Sequence, residues 1–371
     1  MVGLYVFLGV YLFFLFFLLV IGYLAQRLRE GGYYGDEEDH IAIGDLSVII
    51  PFRNEEHRIT DLLNSIQELS FFPKEFIFVD DHSSDEAVKM IESKLNGISF
   101  KILTLPEEKM GKKQAIRHAI TTVDASFILT LDADVQVPKD YFLSLARLKK
   151  ADMYILPALM KAKKPFHYLF EVDLLLINAI NAGLSGLSRP IIASGANLLF
   201  SKKAFEKFDR YASHQHMMSG DDIYLLRDFR KGKANIRLHT ASQLAVVTET
   251  PQSIREFFHQ RIRWVAKTGD VKDALSTCLA IVQAAFTIGI LFWVVSFIAQ
   301  GNLGLALVIW LAKSGIDLLA FLPFFNRSKR LTPWLLIPLY EIIYPFYLLL
   351  MLALMYVVKP EWKGRILKVN H

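Results

Sequence analysis

The sequence predicts an α/β domain with a mostly parallel central sheet, held between apolar helices. Three observations carry this. Between residues 46 and 134, short apolar runs alternate with amphipathic ones in the order β-α-β-α-β-α-β, with connections of a few residues. Residues 4–24, 279–312 and 342–358 contain no charged side chain, and apolar runs of about 20 residues cross a bilayer core. The middle of the chain, from about Asp36 to Asp273, has ordinary soluble composition and is long enough for one sizeable core. The overall 53% hydrophobic content exceeds the ~45–50% usual in soluble domains because of the two ends.

The N-terminal run, residues 1–26, predicts a retained transmembrane helix. A cleaved signal peptide needs a basic segment ahead of a shorter run and a small-residue cleavage site after it, and the run lacks all three. Arg27 and Arg29 follow it directly and place the next segment on the cytosolic side. Residues 27–45, with Gly31, Gly32 and Gly35, read as a linker.

The domain proper is expected over residues 46–250. Leu46–Pro51 predicts a buried strand that Pro51 ends, since proline cannot donate to the ladder. Asn54-Glu55-Glu56 opens an amphipathic helix with Ile59, Leu62, Leu63, Ile66 and Leu69 at helical spacing. Glu75–Val79 predicts the second strand, followed by the turn formers Asp80-Asp81-His82-Ser83-Ser84-Asp85. Ser99–Leu105 predicts a third strand, and Gly111-Lys112-Lys113 introduces a helix to about Thr121.

Phe127-Ile-Leu-Thr-Leu-Asp132-Ala-Asp134 is the stretch around which the rest is organised. It reads as a buried strand ending in two carboxylates. Ligands of open α/β sheets collect outside the carboxyl ends of the strands. In an extended stretch the period of two puts Asp132 and Asp134 on one side, where they could share a divalent cation with substrate phosphates. Taken alone, the pair reads equally well as two solvated turn aspartates.

Further along, Asp152–Pro157 predicts a strand, and Pro165–Leu187 a long apolar segment made too polar to span by His167, Glu171 and Asp173. It is expected to lie along a membrane or cover a cleft. Ser194-Gly195-Ala196-Asn197 reads as a small-residue turn near a ligand, and Ser219-Gly220-Asp221-Asp222 as the start of a helix to about Gly232. Residues 251–270 predict an amphipathic helix with Ile254, Phe257, Phe258, Ile262 and Val265 on its apolar stripe, either interfacial or packed on the domain. Gln260, Arg263 and Trp264 fall three and four apart on one edge of it. Residues 275–358 predict about three C-terminal spans, and 359–371 a basic tail.

The net charge of +5 is modest, and basic residues cluster beside the apolar segments, as suits an anionic membrane surface. No basic stripe with stacking aromatics argues for nucleic acid. The single cysteine, Cys278, makes no internal disulfide and reads as a packing residue.

Six motifs occur in sequence: Val48-Ile-Ile-Pro51-Phe-Arg-Asn54-Glu55-Glu56, Val79-Asp80-Asp81-His-Ser-Ser-Asp85, Gly111-Lys112-Lys113, Asp132-Ala-Asp134, Gly220-Asp221-Asp222 and Gln260-Arg-Ile-Arg263-Trp264. In this order they resemble the family-2 glycosyltransferases of GT-A fold. The similarity is to the membrane-integrated branch that includes cellulose, chitin and hyaluronan synthases and ceramide glucosyltransferase. The resemblance spans about residues 46–267.

It implies a nucleotide-sugar donor, UDP-linked, and a lipid or glycan acceptor at the membrane. Pro51 and Glu55 would contact the nucleoside, Asp81 the uracil ring, and Lys112 the donor. Asp132 and Asp134 would bind Mg2+ or Mn2+ on the diphosphate. Asp222 would be the general base for the acceptor hydroxyl. Gln260, Arg263 and Trp264 would close over the diphosphate and the acceptor end, with Arg263 stabilising the leaving charge. One base facing away from the leaving group implies inversion.

Gly220-Asp221-Asp222 stands where the polymerases usually have Thr-Glu-Asp, and about four spans are fewer than the large synthases possess. A transferase acting on a lipid or lipid-linked glycan is therefore expected ahead of a processive polysaccharide synthase. An idle membrane adaptor with a nucleotide-binding fold is the reading from another class. Three spans after a cytosolic domain would leave the basic tail outside, against the positive-inside tendency. Pro338, Glu341 and Pro345 mark the last segment as kinked, re-entrant or interfacial.

Overall fold

A computed structural model describes residues 2–34, 39–210, 221–271, 273–358, 361–362 and 365–366. Asp36 of the linker, Ser219 and Gly220 ahead of Asp222, and Lys359, Lys363 and Lys368 of the basic tail lie outside these residues. Two units are distinguished: Arg29–Lys161 with Ile192–Glu249 and Glu361–His371, and Met1–Leu28 with Ala162–Ile191 and Thr250–Pro360.

The first unit is built on strands β1 (Leu46–Phe52), β2 (Glu75–Asp80), β3 (Phe100–Thr104), β4 (Phe127–Leu131), β5 (Val135–Gln136), β6 (Met153–Ile155), β7 (Ala158–Lys161), β8 (Asn197–Ser201), β9 (Ile236–Leu238) and β10 (Val246–Glu249). Seven of them form one sheet in the order β3-β2-β1-β4-β8-β6-β9. The β3-β2-β1-β4 half is parallel, β8 runs antiparallel to both β4 and β6, and β6 pairs parallel with β9. A second, three-stranded sheet joins β5, β10 and β7; its strands are too short to leave a periodic signal in the sequence.

The apolar runs are unbroken rather than alternating because the sheet is buried on both faces. Val48, Ile50, Phe76, Phe78, Leu129 and Leu131 share one core with Ile59, Leu62, Leu63 and Ile66 of the helix Ile59–Gln67. Ile49, Ile77 and Ile128 alternate with them and are equally buried, as are Ala115 and Ala119 of the helix Lys112–Thr122.

Several boundaries differ from the expectation. Pro51 does not end β1: the strand continues through Phe52, in register with Val79 and Asp80. The helix after it starts at Ile59, since residues 56–58 form turns.

In the second unit the His167–Leu187 helix corrects the expectation that its polar residues bar it from spanning. Among the described residues, five helices are long and apolar enough to cross a membrane: Gly3–Gly31, His167–Leu187, Ala274–Ala299, Leu303–Arg327 and Ile337–Met355. Glu171 and Asp173 are buried and neutralised within the unit. Arg330 Nε lies 3.3 Å from Glu171, Arg261 Nε lies 2.5 Å from Asp173, and the Tyr340 hydroxyl donates to Asp173 at 2.5 Å.

Glu341 is accommodated in the same way, 3.0 Å from Lys313 and accepting from the Ser314 hydroxyl at 2.7 Å. Pro345 stays inside the helix Ile337–Val357, and the interruption falls earlier, at Leu336. Gly186 is required by backbone contact: a Cβ there would lie 1.8 Å from the Gly22 carbonyl oxygen. Cys278 is exposed on its helix, not packed in a core.

Candidate active site

The parallel strands deliver the site. The loops after β1 and β2 are laced together by side chains bonding to backbone. Asn54 N–H donates to Ser83 Oγ (3.1 Å), and Ser84 N–H donates back to Asn54 Oδ1 (2.8 Å). Glu56 N–H donates to Asp85 Oδ2 (2.8 Å), and Glu86 N–H to Glu56 Oε2 (3.1 Å). Asn54 and His82 both take left-handed backbone conformations, φ 50° and 61°. For non-glycine residues such conformations cost energy and cluster at ligand sites.

Asp81, at the carboxyl end of β2, is buried. Its backbone N–H continues the ladder to the Phe52 carbonyl, and Arg53 donates to its carbonyl at 2.7 Å. Its carboxylate accepts from Gly111 N–H at 3.0 Å and faces His82 Nδ1 at 3.2 Å. Gly111 has φ 93°, which a side chain would strain. The Asp81–Gly111 bond therefore fixes where the helix Lys112–Thr122 begins, and with it Lys112.

Lys112 Nζ lies 2.5 Å from Asp132 Oδ1. β4 stops at Leu131, and Ala133 and Asp134 form a turn leading into β5. The expected extended pleat is therefore absent at the Asp pair, and the turn itself brings the two carboxylates within range of each other. Burial pushes the Asp134 carboxyl up to about 6, with repulsion from Asp132 and Glu55 adding, while Arg58 and a hydrogen bond from Thr248 oppose. Carboxylate oxygens crowded in this way, with an ammonium already drawn to one of them, make a hard donor set that suits a divalent cation. Among the described residues no three His, Cys, Asp or Glu side chains form a complete metal cage.

Asp222 lies in the first turn of the helix Asp221–Lys231. One carboxylate oxygen accepts from Gly195 N–H at 3.1 Å, the other from Ile223 N–H at 2.8 Å. Asp222 is thus tied to the Ser194–Asn197 turn. That turn is held by Asn197, which is fully buried. Its amide donates to the Pro157 and Leu244 carbonyls at 2.8 and 2.9 Å and accepts from the Tyr141 hydroxyl at 2.5 Å.

Pro51, Glu55, Asp81, Lys112, Asp132, Asp134 and Asp222 all belong to this sheet-bearing unit. Gln260, Arg263 and Trp264 belong to the other, on the helix Ile254–Val271, where each is half-buried. On that helix Phe257, Arg261 and Ile262 are buried while Ile254 and Val265 are exposed, so the packed stripe is rotated from the one expected. Gly195 and Asn197 lie in the small-residue turn that the sequence marks as close to a ligand, whereas Arg58, Thr248 and Arg261 were not among the expected site residues. Of these three, only Arg261 has a sequence signal, at helical spacing from Phe257 and Trp264.

Residues 47–208 match the glycosyl transferase family 2 model. The chain carries a family 2 glycosyltransferase domain. Its fold is GT-A, with a mostly parallel central sheet and with apolar helices flanking the glycosyltransferase domain in the chain.

Among relatives, the chain is 32% identical over 96 residues to the poly(ribitol-phosphate) beta-N-acetylglucosaminyltransferase TarS of Staphylococcus aureus, an alignment covering 25% of this chain and 17% of TarS. It is 28% identical over 104 residues to the poly-beta-1,6-N-acetyl-D-glucosamine synthase of Staphylococcus epidermidis, covering 28% and 25%. Over 102 residues it is 34% identical to the undecaprenyl-phosphate 4-deoxy-4-formamido-L-arabinose transferase of Proteus mirabilis, covering 26% and 31%. The chain thus matches less than a third of each of these relatives' lengths.

Among solved structures, the mannosyltransferase PcManGT of Pyrobaculum calidifontis, in complex with GDP-Man and Mn2+, aligns with 89% of this chain and 97% of its own at TM-score 0.48 and 14% identity. The S. aureus TarS crystal structure aligns with 60% and 39% at TM-score 0.38 and 19% identity.

Proposed function

We propose that this protein is a membrane-integrated, inverting glycosyltransferase that moves a sugar from a UDP-linked donor to a lipid or lipid-linked glycan, with its glycosyltransferase domain in the cytosol. The observation that carries the proposal is the convergence, in one unit, of the Asp81–Gly111 bond, the Lys112–Asp132 pair and the half-buried Asp134 at the carboxyl ends of β2 and β4. Anionic ligands that arrive with a cation suit that edge.

Pro51 and Glu55 line the nucleoside loop and Asp81 binds the base. Asp132 and Asp134 would hold Mg2+ or Mn2+, with the remaining ligands from the diphosphate and water. When bound, such an ion neutralises charge on the leaving diphosphate. Lys112, released from Asp132, contacts the donor.

Asp222 accepts the proton from the acceptor hydroxyl as its oxygen bonds to the anomeric carbon and the bond to the diphosphate oxygen breaks. The Gly195 contact orients this carboxylate. Gln260, Arg263 and Trp264 retain the roles the resemblance implies, Arg263 acting on the leaving charge.

The relatives' names divide between polymer synthesis and transfer onto undecaprenyl phosphate, so the product decides between a processive synthase and single addition. Purified full-length protein is given radiolabelled UDP-sugars, membrane lipid and Mn2+, and the product is sized. A single labelled lipid species is expected. A long polymer would support the synthase reading, and absence of UDP release with every donor would support an idle adaptor.

A further inference from the structure

Within the Gln260–Trp264 segment stands a second arginine, Arg261, that the proposed chemistry does not use. It is 2% exposed. Its Nε lies 2.5 Å from Oδ2 of Asp173, on the helix His167–Leu187, and the other Asp173 oxygen accepts from the Tyr340 hydroxyl at 2.5 Å. The guanidinium centre is 4.1 Å from the centre of the Trp264 ring and 4.7 Å from that of Phe257. Phe257 stacks in turn on Phe170, at 4.4 Å, back on the helix that carries Asp173.

Stability alone does not call for this arrangement. A buried ion pair gives up two hydration shells, and apolar side chains of similar volume often serve the fold as well or better. What apolar side chains do not supply is a flat, charged surface of fixed orientation. Guanidinium is planar and stacks on aromatic faces, and here its Nε edge is held against the carboxylate while the Trp264 and Phe257 ring centres lie 4.1 and 4.7 Å from its own. Positions 257, 261 and 264 share one stripe of the helix, so the plane set by Asp173 is transmitted to the indole.

We infer that Asp173 and Arg261 are positioning residues: the carboxylate fixes the guanidinium, and the guanidinium fixes the indole of Trp264 in the orientation that sugar transfer needs. This rests on the role proposed above for Trp264. Displacements of about 1 Å in such a constellation can cost about a hundredfold in rate.

The test uses the full-length protein in detergent. Arg261→Lys keeps a charge against Asp173 but has no planar face, while the double variant Arg261→Met/Asp173→Leu replaces the pair with apolar groups. Turnover is read as UDP release from a mixture of UDP-glucose and UDP-N-acetylglucosamine. The environment of Trp264 is read by acrylamide quenching of indole emission, isolated by subtracting the matching Trp264→Phe protein. Both variants should keep the wild-type unfolding midpoint and donor KM, lose about ten- to a hundredfold in kcat, and show stronger quenching of Trp264.

If Arg261→Lys fails to fold, the double variant carries the same comparison. Trp264→Ala separates the two levels. Full turnover by Trp264→Ala would remove this tryptophan from the reaction, and the inference with it. Loss of turnover in Trp264→Ala, beside wild-type turnover and quenching in the Arg261 variants, would overturn the positioning role alone.

Discussion

The ammonium of Lys112 and the carboxylate of Asp132 lie 2.5 Å apart, one at the first position of a helix and the other just past the end of β4. The pair places a protein cation on an oxygen that a metal would also use. Lys112→Met should therefore have opposite effects on two readouts. Mn2+ binding without donor, followed by calorimetry, should tighten severalfold because the competing ammonium is gone. Donor-dependent UDP release should fall by about tenfold or more, as expected for losing a charged contact of roughly 1.5–3 kcal/mol.

Asp134→Ala should abolish UDP release while the protein still inserts and folds, since the residue lies in a turn outside the strand ladder. Adding EDTA to the wild type should reproduce the loss. Full turnover of the variant in EDTA would end the metal-bridge reading.

Asp222→Asn separates a helix cap from a base. Asparagine can still accept from Gly195 N–H through its carbonyl oxygen, while Ile223 N–H loses its carboxylate acceptor, so stability should fall by only about 1 kcal/mol. It cannot take a proton at pH 7. Transfer should fall by at least about a hundredfold, with UDP binding by calorimetry little altered. Near-normal transfer would remove Asp222 from the mechanism and direct attention to Asp221.

Asn197 tests the support behind that carboxylate. Asn197→Ala leaves the Pro157 and Leu244 carbonyls and the Tyr141 hydroxyl without the partner each now has. The Pro157 carbonyl keeps the Val246 N–H, but buried polar groups left unsatisfied cost about 1–3 kcal/mol each, so a loss of roughly 2–5 kcal/mol is expected. Asn197→Asp should be at least as damaging, because a carboxylate cannot donate to two carbonyls. Thermal unfolding in detergent measures both.

Full-length protein should pellet with membranes and resist alkaline carbonate, because several apolar spans are not held by charge alone. Recovery in the soluble fraction without detergent would overturn the integral-membrane assignment.

The sequence by itself determined the parallel β1–β4 core, since unbroken Val, Ile, Leu and Phe runs between amphipathic segments have few other ways to bury both faces. It also determined which carboxylates stand at the ends of β2 and β4, because their positions follow from where the apolar runs stop. The apolar ends were legible for the same reason: length and absence of charge are local properties.

What only the tertiary structure decided depends on partners far apart in the chain. The Asp81–Gly111 bond joins residues 30 positions apart, and the Asp222–Gly195 bond residues 27 apart. Asp173 and Arg261 lie on separate helices, and neither position indicates which opposite charge it will meet. Their pairing is also why the His167–Leu187 helix looked too polar to span. Charge counted along a sequence is an isolated charge, whereas in the folded unit Asp173 is charge-paired with Arg261 and accepts from Tyr340, and Glu171 is charge-paired with Arg330. A carboxylate with an opposite charge already beside it is less costly to bury, and that depends on packing rather than on composition.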